Sequence, residues 1–377
     1  MCTFEGKGGF GCNPRYIVEE LHKRSSKYEF VWFVNDMGKD FPPYVRKVPN
    51  TLWSRAFWLS TSKIWIDNYR KPYGTCKRKG QYYINTWHGT IGFKSMGLWR
   101  GEAFSKMAYL VSRNDSKMID RLVIDSDWCV EVDPKGIVYE GNFLRAGAPR
   151  CDVLYGNRVK QRARFRQQYG LDDGIRIVMY APTFREKSEA GKRSVYSGSW
   201  TLDFKRLLHS LETRFGGKWY LGLRLHPQVA GHESGSFSEQ VIDLSKADDM
   251  NEILAAMDVF VTDYSSAAMD AGFARIPVFL YIDDIEQYLH ERGSLLWNFS
   301  ENSHVPVTNN KEMTPGIDTV LPYPVARNNE ELEKNILCFK EETYASRTKS
   351  FEEAVGLVFD GKASSRVADK VEEYIWK

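Results

Sequence analysis

One histidine stands where a side chain could transfer a proton. His88 follows residues 82–84, which form a short predicted strand, and Gly89 comes directly after it. Side chains that follow a parallel strand lie at the sheet edge where α/β proteins keep their sites. The pKa of histidine suits a general base near neutral pH. His88 is therefore a candidate base, and the alternative is a packed, hydrogen-bonded histidine without a catalytic part.

A second chemical candidate lies in residues 258–282, which predict a strand, a tight turn, a short helix and another strand. The turn has the sequence TDYSS at 262–266. A helix that begins at the carboxyl end of a parallel strand points N–H groups into the crevice there, and Ser265 and Ser266 add hydroxyl donors. These features predict an anion site, with phosphate as the expected ligand. The alternative is an ordinary capped helix.

Polar side chains follow two more strands of the second half. The candidates for one shared anion site are Thr183 and Arg185 after residues 175–181, Arg224 and His226 after residues 218–225, and Asp263, Ser265 and Ser266. Fixed charge, hydrogen-bond donors and a helix dipole are what a diphosphate needs. No pair of carboxylates has the spacing of a metal site, so we expect no metal ion.

The elements that position these side chains alternate between apolar runs and helical patterns, as in doubly wound α/β domains. The clearest predicted helices are 15–23, 202–215, 250–257 and 267–273, and the clearest strands are 29–34, 175–181, 218–225 and 259–261. We also predict a helix at 116–122, a strand at 129–132 and a loop at 191–200. The length of 377 residues predicts two domains, 1–150 and 151–377.

Composition limits the class of protein. Residues 1–150 hold 24 Lys and Arg against 15 Asp and Glu, and seven of the 11 tryptophans, whereas the remainder is net acidic. Such a half could contact an anionic membrane or another polyanion, or carry solvated charge over an aromatic core. The six cysteines are scattered, and no secretory signal or membrane-spanning run is found, which predicts a cytoplasmic protein with reduced thiols.

Residues 51–68 concentrate aromatic and basic side chains, including Trp53, Phe57, Arg55 and Lys63. This pattern is compatible with an amphipathic element in a membrane interface. We expect instead that most of these aromatics pack against the sheet.

Several motifs together resemble the CDP-glycerol glycerophosphotransferases, which build teichoic acids and related capsules. The resemblance spans nearly the whole chain and rests on Gly6-Lys7 with Asn13-Pro14, TWHGT at 86–90, GAPR at 147–150, YAPTFR at 180–185, RLHP at 224–227, TDYSS at 262–266 and DGKASSRV at 360–367.

The resemblance implies a GT-B architecture, two Rossmann-like domains that face each other across a cleft, with a last helix that returns to the first domain. CDP-glycerol would bind the second domain through Thr183, Arg185, Arg224, Asp263, Ser265 and Ser266. The acceptor, a lipid-linked glycan or poly(glycerol phosphate), would enter beside Gly89 and Thr90. His88 would act as the base, and His226 would hold charge on the departing phosphate. No cofactor and no nucleic-acid partner are implied.

The family's acceptors also imply peripheral attachment to the cytoplasmic face of the cell membrane. The chain lacks the long N-terminal extension of the large polymerases, which leaves primase and polymerase both open. The residues are also compatible with a CDP-ribitol transferase, with a GT-B glycosyltransferase that uses a sugar nucleotide, and with a non-catalytic membrane- or polyanion-binding protein.

Overall fold

The fold is taken from a computed structural model. It describes residues 2–3, 9–89, 91–183, 185–189, 192–196, 201–225, 239–292, 294–297, 299 and 321–376.

The first half of the chain builds one parallel sheet. Its seven strands are β1 (Cys2–Thr3), β2 (Phe30–Val34), β3 (Val45–Pro49), β4 (Ile64–Asp67), β5 (Tyr82–Asn85), β6 (Arg121–Ile124) and β7 (Phe143–Arg145). They lie in the order β3-β2-β1-β4-β5-β6-β7, and every pairing is parallel. The buried strand β2 consists of apolar residues throughout, as expected of a parallel sheet covered on both faces.

A second parallel sheet follows. Its strands are β8 (Ile175–Ala181), β11 (Lys218–Leu223), β12 (Val241–Asp243), β13 (Val259–Thr262), β14 (Val278–Tyr281) and β15 (Val325–Ala326), and β9 (Arg185–Glu189) with β10 (Lys192–Tyr196) form a separate antiparallel hairpin. The order β12-β11-β8-β13-β14-β15 repeats the arrangement of the first sheet. In such a sheet the order reverses at the central pair, and ligands bind beyond the carboxyl ends of the strands there.

Helices connect the strands. They are α1 (Cys12–Arg24), α2 (Leu52–Thr61), α3 (Lys106–Ser116), α4 (Asp127–Asp133), α5 (Val159–Tyr169), α6 (Phe204–Phe215), α7 (Met250–Leu254), α8 (Ala267–Phe273), α9 (Ile285–Arg292), α10 (Asn329–Leu337), α11 (Glu341–Ala354) and α12 (Ala363–Ile375). Short 3₁₀ turns span Gly97–Ala103 and Pro149–Leu154, and Pro134–Val138 forms one π turn.

The last helix packs on the first half of the chain. Val367 and Val371 of α12 share a buried apolar cluster with Ile17 and Val18 of α1 and with Trp32 of β2. Arg24 of α1 adds ion pairs to Asp369 and Glu372 of α12. The second half therefore sends its last element back across the molecule.

The expected α/β class is confirmed, with both sheets parallel. Three local predictions are wrong. Residues 116–122 hold the last residue of α3 and the first two residues of β6, residues 129–132 lie in helix α4, and residues 192–196 form strand β10 rather than a loop. In the part of the chain that the structure describes, no helix has the length and apolar character needed to cross a bilayer.

Candidate active site

His88 lies just beyond the carboxyl end of β5 and is half-buried. Its Nδ1 is 2.8 Å from the backbone carbonyl oxygen of Asn68, which follows β4. Because a carbonyl oxygen only accepts, Nδ1 donates, and the neutral ring then carries its lone pair on Nε2. The ring also stacks on Trp87, with centroids 4.7 Å apart. This is the tautomer that a base acting through Nε2 requires.

Trp87 holds a strained backbone directly before His88. Its φ is 49°, in the left-handed region that a bulky side chain rarely adopts. Such a residue costs about 1–3 kcal/mol and persists only where its surroundings enforce it. The amide of Trp87 donates to Asn85 Oδ1 at 2.7 Å, and its carbonyl accepts from Thr86 Oγ1 at 3.0 Å. The loop that carries His88 is thus fixed by its own neighbours.

The His88 loop reaches the second half of the chain. A Cβ atom placed on Gly89 would lie 3.3 Å from Ser266 Oγ. Gly89 and Ser266 are 177 positions apart in the sequence, yet the absence of a side chain lets the two loops meet. The structure thereby brings together two of the regions that the sequence singled out.

Asp263 braces the turn that follows β13. Its carboxylate accepts hydrogen bonds from the amide and the hydroxyl of Thr183, at 2.9 and 2.6 Å, and from the amide of Tyr264 at 2.6 Å. The side chain is buried. Asp263 thus joins the ends of β8 and β13, the central pair of the second sheet. Binding of a donor molecule by Asp263 and Thr183 stays a prediction.

Arg185 is bonded to two carboxylates. Its Nη1 lies 3.0 Å from Asp263, and its Nε and Nη2 contact Asp284 at 2.5 and 2.9 Å. Burial alone lowers the pKa of Arg185, but the charge of Asp263 and the hydrogen bond to Asp284 more than offset this and raise it. The expected contact between Arg185 and a diphosphate stays a prediction. Its positive charge is already matched by two negative ones.

Ser265 and Ser266 are half-buried at the start of α8. The hydroxyl of Ser265 accepts from the amide of Ala267 at 3.3 Å, whereas Ser266 makes no side-chain capping bond to the helix. The Ser266 hydroxyl, which faces Gly89, is therefore not used to cap α8.

Arg224 follows β11 on the opposite side of β8. Its Nη1 donates to the carbonyls of Leu244 and Ala247 at 2.9 and 2.8 Å. Burial lowers its pKa, although the nearby charges of Asp249 and Asp248 oppose this shift. Among the described residues no carboxylate forms an ion pair with it. Arg224 thus differs from Arg185 in having no carboxylate partner there. The other two predicted residues, His226 and Thr90, lie outside the described part of the chain.

Within the described ranges, no three His, Cys, Asp or Glu side chains lie close enough together to hold a metal ion.

Sequence reasoning missed a set of buried side chains behind the site. They are Asn13, Arg150, Asp270 and Asn251. The partly exposed Asp284 was missed as well. Asn13 and Arg150 belong to the motifs Asn13-Pro14 and GAPR at 147–150. The sequence therefore marked both residues but did not show which groups they contact. Asp284 carries no local signal, because its contact to Arg185 joins residues 99 positions apart.

Comparison with known proteins identifies the family. The model described as CDP-Glycerol:Poly(glycerophosphate) glycerophosphotransferase matches residues 2–373. The chain belongs to this family. The resemblance inferred from the motifs is thereby confirmed.

Individual relatives are distant. A teichoic acid poly(glycerol phosphate) polymerase of Bacillus spizizenii is 27% identical over 83% of this chain and 81% of its own length. A teichoic acid glycerol-phosphate transferase of Staphylococcus aureus is 26% identical over 98% of the chain and 91% of its own length. A second polymerase, from Staphylococcus epidermidis, aligns with 99% of the chain, which covers only 50% of that relative.

A polymerase named for a different substrate is about as similar. The teichoic acid poly(ribitol-phosphate) polymerase of Bacillus spizizenii is 26% identical over 95% of the chain and 54% of its own length. Among solved structures, the wall teichoic acid polymerase TagF superposes with a TM-score of 0.81 at 23% identity, over all of this chain and 89% of TagF. This likeness supports the α/β fold with parallel sheets.

Proposed function

We propose that this glycerophosphotransferase moves glycerol phosphate from CDP-glycerol to a hydroxyl of a lipid-linked or polymeric acceptor and releases CMP. The two sheets would form a GT-B pair, with the acceptor side in residues 1–150 and the donor side in residues 151–377. The observation that carries the proposal is the approach of Gly89 to Ser266, since it sets a candidate base beside a candidate phosphate site.

The chemistry assigned to His88 is removal of the acceptor's hydroxyl proton by Nε2. The freed oxygen attacks the β-phosphorus of the donor and forms a new P–O bond. The bond between that phosphorus and the bridging oxygen breaks, and CMP leaves with the electron pair. Phosphoryl transfer depends mainly on alignment and charge stabilisation, which a rigid loop and a set of donors can supply.

Charge on the diphosphate needs cations and hydrogen-bond donors that are not already neutralised. Arg224 meets this requirement best among the described candidates because its recorded partners are carbonyls. Ser265 and Ser266 supply hydroxyl groups, and His226 is proposed to stabilise the departing CMP. The main part of Arg185, Asp263 and Thr183 would be to fix the TDYSS turn at 262–266. Arg185 would also contact the donor directly.

Relatives named for glycerol and for ribitol are about equally similar, so the experiment compares both donors. The test is CMP release from CDP-glycerol and CDP-ribitol in parallel, with UDP release from UDP-glucose as the comparison. A crude lipid-linked or glycerol-phosphate oligomer preparation supplies the acceptor.

Acceptor-dependent CMP release from CDP-glycerol is the expected result. Release from CDP-ribitol alone would keep the mechanism and change the polymer. Release of UDP alone would overturn the phosphotransfer and favour the sugar-nucleotide alternative.

Attachment to an anionic membrane at the cytoplasmic face is the second part of the proposal. Helix α2 buries only Leu59, while Leu52, Trp53 and Phe57 are 82%, 85% and 57% exposed. Arg46 contacts the ring of Trp58 at 5.5 Å and adds positive charge beside the helix. Large apolar side chains next to basic ones fit an interface of anionic headgroups and acyl chains.

Sedimentation with phosphatidylglycerol vesicles tests the attachment. We expect Trp53→Ser with Phe57→Ser to weaken binding by about tenfold or more, because each side chain would bury apolar area in the interface. Met107→Ser, which removes another exposed apolar side chain from α3, is the matched control. Equal binding by all three proteins would contradict a role for α2.

A further inference from the structure

We propose that Asn13, Arg150 and Asp270 form a buried relay of positioning residues, which sets His88 at a fixed distance from Ser265 and Ser266. The inference rests on the proposed function. It assigns to these three side chains a part in the reaction that does not require contact with substrate.

The relay begins at the strained residue beside His88. Asn13 Nδ2 donates to the carbonyls of Thr86 and Trp87 at 3.3 and 3.0 Å. Asn13 is buried at the start of α1, so no water replaces these bonds. A backbone held at φ 49° needs such enforcement, and the bond to the Trp87 carbonyl acts on the peptide unit that leads into His88.

Asn13 passes this constraint to Arg150. Its Oδ1 accepts the backbone amide of Arg150 at 2.9 Å. Arg150 stands in the 3₁₀ turn Pro149–Leu154, which follows the first sheet and packs against α1, α7, α8 and α12. One amide side chain thus bonds the His88 loop with its nitrogen and this connecting turn with its oxygen.

Arg150 then reaches the helix that begins at the two serines. Its Nε and Nη2 contact the two carboxylate oxygens of Asp270 at 2.7 and 2.8 Å. Asp270 lies one helical turn after Ser266 and also accepts from Asn251 at 3.0 Å. A bidentate, buried Arg–Asp pair fixes direction as well as distance. It therefore limits how α8 can move relative to the His88 loop.

Two other bonds between the halves lack this connection within the described residues. Tyr16, on the same helix as Asn13, donates its hydroxyl to Asp249 at 3.0 Å, and Arg15 pairs with Glu252 at 2.7 Å. These two contacts hold α1 against α7. In the described part of the chain, Tyr16 and Arg15 form no hydrogen bond to Thr86, Trp87 or Asp270. Tyr16→Phe is thus a matched control for a general loosening of the two halves.

The experiment measures CMP release by Asn13→Ala, Arg150→Lys and Tyr16→Phe in the full chain. Asn13→Ala is expected to lower kcat by about 100-fold, since a misplacement of about 1 Å has that effect. The KM for the donor should hardly change, because Asn13 touches no donor site. Arg150→Lys keeps the charge but loses the paired geometry, and a loss of about tenfold is expected. Tyr16→Phe should retain wild-type kcat.

A second measurement does not depend on turnover. Nitrogen NMR of histidine-labelled protein reports which ring nitrogen of His88 carries the proton. The wild-type chain is expected to show His88 protonated at Nδ1, and Asn13→Ala should show a mixture as the bond to the Asn68 carbonyl loosens. Thermal unfolding of each variant shows whether it is folded, and Arg150→Lys supplies the test if Asn13→Ala is not.

The outcomes are distinct. Wild-type kcat in Asn13→Ala, or an equal loss in Asn13→Ala and Tyr16→Phe, would overturn the relay. A wild-type chain that releases no CMP would contradict the proposed function instead. In that case an unchanged His88 tautomer in Asn13→Ala would still overturn the relay, and a changed one would support it.

Discussion

The two loops that meet at Gly89 and Ser266 are held by different forces. Around His88, neutral amides and carbonyls provide the bonds, through Asn13, Asn85 and the Asn68 carbonyl. Around the TDYSS turn, ions provide them, since Arg185 lies between two carboxylates. Neutral bonds position a base without fixing its charge state. Ionic bonds hold a turn firmly but leave its arginine with little net charge to offer a phosphate.

This difference predicts which residues determine turnover and which determine the stability of the fold. Neutral bonds of a strained loop each contribute about 1 kcal/mol, so their loss changes geometry before it unfolds the chain. Loss of one partner from a buried ion pair leaves an uncompensated charge and costs several times more. We therefore expect variants of the His88 loop to lose turnover and variants of the Arg185 cluster to lose stability.

The largest effect is expected from His88→Ala. Removal of a general base typically lowers kcat by about 100- to 10,000-fold. The Kd for CDP-glycerol, measured by calorimetry without acceptor, should stay near the wild-type value because His88 is proposed to act on the acceptor and not on the donor. Near-normal turnover would remove His88 from the mechanism. A parallel loss of donor binding would show that His88 contributes to the donor site and not to the acceptor site.

Arg185→Met tests the ionic loop. The side chain is only 7% exposed, and its removal leaves Asp263 and Asp284 without their cation, so the free energy of unfolding should fall by about 3–5 kcal/mol. Urea unfolding measures the change. Arg206→Met is the control, because Arg206 also bonds two carboxylates, Glu330 and Glu333, but on the surface. Equal losses of unfolding free energy in both variants would show that burial of Arg185 does not explain its contribution to stability.

A smaller, pH-dependent effect is expected behind the His88 loop. Burial raises the pKa of Asp115 to about 7, and the charge of Lys71 offsets this only in part. Since the unfolded value is about 3.9, the folded chain binds this proton more tightly. The stability that Asp115 contributes is therefore complete below about pH 4 and is lost as pH rises through about 7.

Asp115→Asn carries no such proton. The free energy of unfolding of the variant, relative to wild type, should thus rise between pH 4 and pH 8, on the order of 1–4 kcal/mol at about 1.4 kcal/mol per pKa unit. The surface change Asp36→Asn serves as control. A difference that stays flat across this range would show that Asp115 is ionised throughout.

The sequence predicted much of the second half because its apolar runs are long and cleanly bounded. The strand at 175–181 has its observed limits, and α8 begins directly after the predicted serines. The short elements failed for a physical reason. Apolar Trp128, Cys129 and Val132 in α4 fit a strand or a helix over so few residues, and only packing decides between them.

Side-chain partners were less accessible to sequence reasoning. Spacing brought Arg185 near Asp263 but gave no sign of Asp284, which satisfies the same guanidinium. The expectation that most aromatics of residues 51–68 are buried holds for Trp65, but Trp53 and Phe57 point to solvent. Periodicity describes one helix at a time, whereas these outcomes depend on which neighbour covers it.

The path of the chain has a consequence for biosynthesis. Helix α1 (Cys12–Arg24) is synthesised well before α12 (Ala363–Ile375), which packs against it. During translation the part of the Ile17 and Val18 surface that α12 covers therefore stays exposed until residues 363–375 have been synthesised. The apolar cluster of the first half is thus complete only when α12 has packed on it. A nascent chain that stalls before α12 exposes part of this apolar surface to chaperones and proteases.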